Sequence, residues 1–446
     1  MKVKRLKMTS FRGISDLTLD FQTDEPNVLI GINGVGKSSI LDCLALLLFK
    51  LIVEIHFNPK SRTFSLERQY KYSSLISERE QDLANVLFLN EQDITNGSNE
   101  TLNEITVSLG SQEAKWSLAS VREITAPGGF ISGSGQLERV VDEIHSQLKD
   151  TAEANIPLAV YYPVNRAVLD IPLDIAEEQS FEQIAANDHA LNHAVTRGRI
   201  VFDRFFQWFR VLEDLENEER RDNSDYRDRQ LEAVRQAISL LMPGFSNLRV
   251  RRSPLRMTVE KQGKELIVNQ LSDGEKCLLA MVGDLARRLA IANPGLPNPL
   301  EGEGVVLIDE IELHLHPKWQ REIIPALTRT FPNCQFIITT HSPQVISEVK
   351  PNGIYILEAT SEGVVAKRPE SSYGRDSNRI LEDLMGVPAR PQEIKDDLLE
   401  LFRLIDKGDL DGARLLRQQI ADEIGSDEPD LVKASVSIRR KEILSR

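Results

Sequence analysis

The octapeptide Gly31-Ile-Asn-Gly-Val-Gly-Lys-Ser38 fits the pattern G-x-x-x-x-G-K-S and lies between the apolar run Val28-Leu-Ile30 and the long apolar stretch Ile40 to Ile55. That placement predicts a buried strand, a glycine loop and a buried helix in succession. Glycines at such a turn let backbone N–H groups face one anion, and the start of the helix adds positive potential. The chemistry expected is the holding of nucleotide phosphates. Asn33, Gly34 and Gly36 would shape the loop, Lys37 would reach the β- and γ-phosphates, Ser38 would ligate Mg2+, and Ser39 would lie beside it. ATP with Mg2+ is therefore the expected ligand. A chance glycine turn before a core helix is the competing reading, and the strand-loop-helix context argues against it.

A second group is acidic. Val305-Val-Leu-Ile-Asp-Glu310 is four apolar residues ending in two carboxylates, which predicts that both acids stand at the C-terminal edge of a parallel sheet. Asp309 would hold Mg2+, directly or through water, and Glu310 would orient and deprotonate the attacking water. An acidic pair after a strand also serves as a helix N-cap, and it is the loop at Lys37 that favours catalysis. Leu271-Ser-Asp-Gly-Glu-Lys276 opens an apolar helix from Cys277 to Ala292, placing Ser272 and the backbone of Gly274 where a helix start could meet an anion. Taken without context, the same residues are an N-cap followed by a core helix. His341, after the apolar run ending at Ile338, could touch a γ-phosphate as a neutral imidazole, or be a satisfied core or cap residue. His314 and His316 with Glu312 suggest a metal pair, although alternate positions fit a loop better.

The elements that must position these residues follow from periodicity. Lys2 to Met8 and Leu17 to Phe21 alternate as two strands around a turn at Gly13, and Glu104 to Leu109 is a further short strand. Residues near 60 to 150 otherwise mix strands with polar turns, including a glycine-rich loop from Pro127 to Gly135. Leu158 to Tyr162 is a strand running into the turn Pro163-Val-Asn-Arg166. Residues 175 to 242 are helical in composition, aromatic at Phe202, Phe205, Phe206, Trp208 and Phe209, and lack a long heptad register. Strand and helix alternation then returns, and beyond about residue 390 the pattern is helical. The predicted organisation is an N-terminal lobe over 1–170, a helical insertion over 171–245, a second lobe over 246–390 and a helical tail over 391–446.

With 446 residues, 41% of them hydrophobic, the chain can bury a large core. Its formal charge of −14 argues against indiscriminate coating of nucleic acid, though Arg249, Arg251, Arg252, Arg256, Lys261 and Lys264 form a local basic stretch that could track phosphates or be a solvated face. Cys43, Cys277 and Cys334 are far apart and form no CxxC pair, which fits a reduced, cytoplasmic setting. No stretch is long enough to span a bilayer, and no membrane partner is expected.

In this order and spacing the motifs resemble those of the ABC-type ATPases of the SMC, RecF and OLD group. The resemblance implies an α/β fold, an ABC-ATPase head with a split P-loop fold and mixed sheet, carrying a helical insertion and a helical tail. It makes Leu271 to Glu275 the ABC signature, with Ser272, Gly274 and Glu275 closing on the γ-phosphate held by an opposite copy, so that ATP is sandwiched in a head-to-tail homodimer or a higher oligomer of such dimers. It makes Asp309 to Pro317 the Walker B and D-loop, His341 the switch histidine, and Arg12 in Ser10-Phe-Arg-Gly-Ile14 an arginine that approaches the nucleotide. The turn at Asn165 and Arg166 stands where a Q-loop would but has no glutamine, and an ordinary β-turn is the other reading. The Phe-Arg-Gly opening, the LSDGE form and His-Leu-His-Pro317 point away from transporter subunits, and no Toprim nuclease pattern follows His341. The whole-chain arrangement is similar to the PtuA family, the ATPase subunits of Septu anti-phage systems, also found with some retrons. In support stand the segment Val160 to Arg166 and the tail Leu401 to Ala413. That resemblance implies an HNH nuclease partner resembling PtuB, whose attack on DNA the ATPase regulates. The alternatives are a RecF-like DNA-repair ATPase that clamps DNA on dimerisation and a scaffold that binds ATP but hydrolyses it slowly.

Overall fold

A computed structural model describes residues 1–56, 91–122, 134–150, 154–166, 202–361 and 363–444, with the short pieces 89, 130–132, 168, 171, 173, 183–187 and 190–191. Four short strands, β3 (Asn27–Ile30), β7 (Leu158–Tyr162), β11 (Gly304–Ile308) and β12 (Cys334–Thr339), are buried along their whole length. Continuous apolar runs of this kind belong to parallel strands covered on both faces by helices. They form one sheet with β13 (Ile354–Thr360) and β14 (Gly363–Lys367), in the order β14-β13-β3-β12-β11-β7, and only β14 runs antiparallel to its neighbour. Ile308 is in register with Tyr162 on one side and Ile338 on the other, and Ile338 with Val28. The predicted split fold is thus observed: strands from both halves of the chain share one sheet, and their C-terminal ends come out along one edge.

α1 (Lys37–His56) follows the glycine loop and buries Ile40, Leu44, Leu47, Leu48 and Leu51. An antiparallel sheet of β1 (Lys2–Phe11), β2 (Ile14–Asp20), β4 (Glu100–Leu109), β5 (Gln112–Val121) and β6 (Phe130–Ser132) lies beside it. Trp116 of β5 is fully buried and its indole N–H donates to the carbonyl of Leu47 at 2.9 Å, tying this sheet to α1. The predicted glycine loop from Pro127 falls partly outside the described residues, and its last two residues, Ser134 and Gly135, begin α2 (Ser134–Asp150).

The helical region 175 to 242 is described from Phe202 onward, as α3 (Asp203–Glu219) and α4 (Arg229–Leu241). Phe205, Phe206, Trp208 and Phe209 are buried, so the aromatic cluster is a packing face. Phe205 lies on α5 (Asp273–Ala292) where Gly283 leaves room; a Cβ there would be 2.3 Å from the Phe205 ring. Between α4 and α5 stands a three-stranded antiparallel sheet that the sequence reading did not anticipate: β8 (Phe245–Arg252), β9 (Leu255–Lys261) and β10 (Lys264–Ile267). α6 (Pro317–Thr330) and the short α7 (Pro343–Ile346) follow β11 and β12.

Residues Met1–Arg375 make one compact unit and Asp376–Arg446 another. The second is helical: α8 (Ser377–Asp383), α9 (Gln392–Lys407), α10 (Leu410–Ile424) and α11 (Pro429–Leu444), the last three closing around Leu401, Ile405, Ala413, Ile420, Leu431 and Ala434. Among the described residues no helix is long and apolar enough to cross a membrane.

Candidate active site

Gly31, Gly34 and Gly36 have φ of 151°, 81° and 106°, conformations that side chains resist. Gly31 is also pressed against β13, where a Cβ would lie 2.6 Å from the carbonyl oxygen of Leu357. These glycines turn the loop tightly enough for α1 to start at Lys37, whose Nζ donates to the carbonyls of Gly31 and Ile32, 2.9 Å each. Asn33, Gly34 and Ser38 are exposed, Ser39 is half-buried and Lys37 is buried. The first turn of a helix leaves its N–H groups without intrahelical acceptors, so the exposed side of this loop offers donors to an anion. Burial pulls the Lys37 ammonium below its ordinary pKa, and Asp309, Glu310 and Glu312 oppose that pull.

The acidic pair stands at the end of β11. Asp309 is buried and its Oδ1 accepts the Thr339 hydroxyl from the end of β12. Glu310 has φ of +45°, an unusual conformation for a residue with a side chain, and its N–H donates to Thr339 Oγ1 at 2.8 Å. Arg166, which the sequence reading placed in a turn near the nucleotide, is buried and turned inward. Its guanidinium donates to the carbonyls of Pro163, Asp309 and Glu310, and its own carbonyl accepts the Cys277 thiol of α5. Asn165 is exposed.

Glu312, a residue of the segment Asp309 to Pro317, joins two loops. Its carboxylate accepts the Thr340 hydroxyl at 2.7 Å and the backbone N–H of His341. The Ser342 hydroxyl donates to Gln320 Oε1 at 2.7 Å, and Gln320 Nε2 donates to the Leu315 carbonyl at 2.8 Å. Side chains therefore bind the segment after β11 to the segment after β12 at two points, leaving His341 half-buried at the sheet edge. His316 caps α6, its Nδ1 accepting the Lys318 N–H at 3.3 Å, and among the described residues no group of three or more His, Cys, Asp or Glu is placed to hold a metal. Mg2+ needs less than that from the protein, since it keeps waters and substrate phosphates among its ligands. Ser38 at the exposed start of α1 and Asp309, with one oxygen taken by Thr339, fit such an ion.

Ser272 and Glu275 form a capping box at the start of α5: the Ser272 hydroxyl accepts the Glu275 N–H and Glu275 accepts the Ser272 N–H. Burial pushes the Glu275 carboxyl up, but Lys261, 2.6 Å away, together with the Ser272 donors, holds it below the ordinary range. Gly274 is buried against the loop of the same chain, where a Cβ would sit 2.1 Å from the His314 carbonyl oxygen. The structure thus brings the serine-glycine turn and the loop after Glu310 together, with His314 in a left-handed conformation of φ +63°.

Arg12, also at positive φ, directs its guanidinium to Asp42 of α1 and to Asp93, with Nε 2.9 Å from the latter. The charge expected to approach the nucleotide is committed to two carboxylates. Four of the six cations of the basic stretch are similarly engaged: Arg249 and Arg251 share Glu265, Arg252 contacts Glu213 and Asp214, and Lys261 holds Glu275. Sequence reasoning also missed Asp284 in α5, which binds Arg287, Arg288 and the Tyr162 hydroxyl inside the core. Its only local signal was an Asp with two arginines three and four residues on, inside an apolar helix.

A family model described as "AAA domain" matches residues 5–244, more than half of the chain, and one described as "AAA domain, putative AbiEii toxin, Type IV TA system" matches residues 166–347. The "Retron Ec83 probable ATPase" of Escherichia coli is 30% identical over 99% of this chain and 87% of its own length. The "Retron Vc95 probable ATPase" of Vibrio cholerae is 27% identical over 90% and 82%. The "Septu protein PtuA" of Bacillus thuringiensis is 30% identical over 31% of this chain and 37% of its own length. Among solved structures, the SMC head domain from Thermotoga maritima covers 83% of this chain at 15% identity with a TM-score of 0.42, too slight a likeness to add to the argument. With its P-loop, paired carboxylates and split sheet in place, and with a relative matched over 99% of this chain, the chain belongs to the AAA-domain family of the retron probable ATPases.

Proposed function

We propose that the chain binds ATP with Mg2+ at the loop Gly31–Ser38, hydrolyses it in a head-to-tail pair of copies, and through that cycle governs a partner nuclease of the HNH type in defence against phage. The observation that carries the ATP site is the shared sheet edge, where the buried Lys37 ammonium lies within electrostatic reach of Asp309, Glu310 and Glu312. Mg2+, held by Ser38 and Asp309, would supply charge neutralisation at the phosphates. The exposed N–H groups of the loop bind the phosphates, aided by Asn33, Gly34, Gly36 and Ser39. Lys37 exchanges the Gly31 and Ile32 carbonyls for phosphate oxygens, which offsets the cost of its burial. Glu310 orients a water and takes its proton, and His341 lies at the same edge to meet the γ-phosphate. The abutting Gly274 and His314 segments are the surface that a second copy would meet, with Ser272 and Glu275 facing its nucleotide. Arg12 orients α1 through Asp42 behind this site.

Support for the defence role comes from the relatives, whose names concern retrons and Septu. Two measurements test the reading. Glu310→Gln should abolish most ATP turnover while leaving ATP bound; unchanged turnover would sink the general-base assignment. Affinity capture of the tagged chain from its native cell, with and without ATP, should recover a small HNH protein; recovery of the ATPase alone, with hydrolysis stimulated by DNA, would replace the nuclease-regulating reading with a DNA-clamping one.

A further inference from the structure

We propose that Arg166 is a positioning residue for Glu310, a role that rests on the hydrolytic reading above. Arg166 leaves the end of β7, the strand beside β11, and is almost wholly buried, so it offers the nucleotide little surface. Its fork instead grips the peptide carbonyls of Asp309 and Glu310, the latter at 2.6 Å, while a third bond to the Pro163 carbonyl closes its own turn. Glu310 sits between these grips at φ +45°, in a conformation that a residue with a Cβ adopts only when its surroundings impose it. Thr339 holds the same residue from the other side by accepting its N–H. Two neighbouring strands thus fix the backbone from which the water-activating carboxylate projects. The Arg166 carbonyl meanwhile accepts the Cys277 thiol, so the clamp is itself seated on α5, the helix that begins with the serine-glycine turn.

A planar guanidinium can satisfy two adjacent carbonyls at once, and an ammonium presents no such fork. Arg166→Lys should therefore behave nearly as Arg166→Ala. Displacement of a reacting group by about 1 Å lowers turnover by about 100-fold. The experiment is a double-mutant cycle on the full chain, comparing wild type, Arg166→Ala, Glu310→Gln and the double variant for kcat, KM and equilibrium ATP affinity, with urea unfolding as a check on folding. Expected is a fall in kcat of about 10- to 100-fold for Arg166→Ala, an unchanged ATP affinity, and no further loss when Arg166→Ala is added to Glu310→Gln. Losses that multiply would show that Arg166 acts independently of Glu310 and overturn the proposal, as would a loss of ATP affinity matching the loss of kcat. If Glu310→Gln alone leaves kcat unchanged, the hydrolytic assignment fails first and the positioning role falls with it. Should Arg166→Ala not fold, Arg166→Lys, which keeps length and charge, carries the same cycle.

Discussion

Replacement of Gly274 by alanine should stall turnover without touching ATP binding by the single head. The added Cβ would lie 2.1 Å from the His314 carbonyl oxygen and 3.0 Å from its carbon. Ordinary contact between such atoms begins near about 3.4 Å, so the start of α5 and the loop after Glu310 must part by about 1 Å, and neither is soft. The loop is held by Arg166 on the Glu310 carbonyl and by Glu312 on the His341 segment, and α5 is buried along most of its length. Overpacking of this kind costs about 1–3 kcal/mol, and the backbone nature of the clash puts Gly274→Ala toward the upper end. A shift of about 1 Å in the segment following the catalytic carboxylate would lower kcat by about 100-fold. ATP affinity of the single head should stay unchanged, because the glycine loop is built on β3 and α1. Urea unfolding, calorimetric ATP titration and a phosphate-release assay measure the three quantities, with Ser272→Ala as comparison for stability alone, since loss of that cap costs about 1 kcal/mol without forcing segments apart. Wild-type stability and turnover in Gly274→Ala would refute the close approach on which the reasoning rests.

Two other perturbations follow from carboxylates, one buried and one half-buried. Burial would raise the Asp284 carboxyl, but Arg288 and Arg287 more than offset it and hold it down at about 2. Relative to an unfolded value of about 3.9, the difference is about 2–3 kcal/mol of stability. Because the folded value is the lower one, this contribution is complete above about pH 4 and lost as pH falls toward 2. Urea midpoints followed over that window should decline more steeply for wild type than for Asp284→Asn; equal slopes would contradict the assignment. Glu312→Ala removes the acceptor from the Thr340 hydroxyl and the His341 N–H and should cost about 1–3 kcal/mol, with Glu312→Gln losing clearly less. Equal urea midpoints for the alanine variant and wild type would show that the two loops do not depend on this carboxylate.

What the sequence disclosed of the site was what local pattern encodes. Gly31 to Ser38 and Asp309-Glu310 are legible because each follows an apolar strand and each needs its residue types within a few positions. The same holds for Ser272 and Glu275, whose capping spacing is visible whatever else they do. Residues whose partners are distant in the chain were not legible. Arg166 meets carbonyls 143 and 144 positions away, and Glu312 meets Thr340 28 positions away, so nothing near either residue announces its role. Gly274 is legible as a motif glycine, while its contact with the distant His314 is a fact of packing that the motif does not announce. The sheet β8–β10 was hidden for a related reason: Arg249 and Arg251 pair with Glu265 across its strands, and in one dimension that balanced surface registers only as a run of arginines.

The most direct test of the ATP site is calorimetric titration of the purified chain with ATP, with and without Mg2+, for wild type and Lys37→Ala. The account predicts saturable binding at one site per chain that Mg2+ strengthens, weakened about 10- to 100-fold in Lys37→Ala, as loss of a charged hydrogen bond worth about 1.5–3 kcal/mol requires. Equal affinity in the two proteins would contradict it.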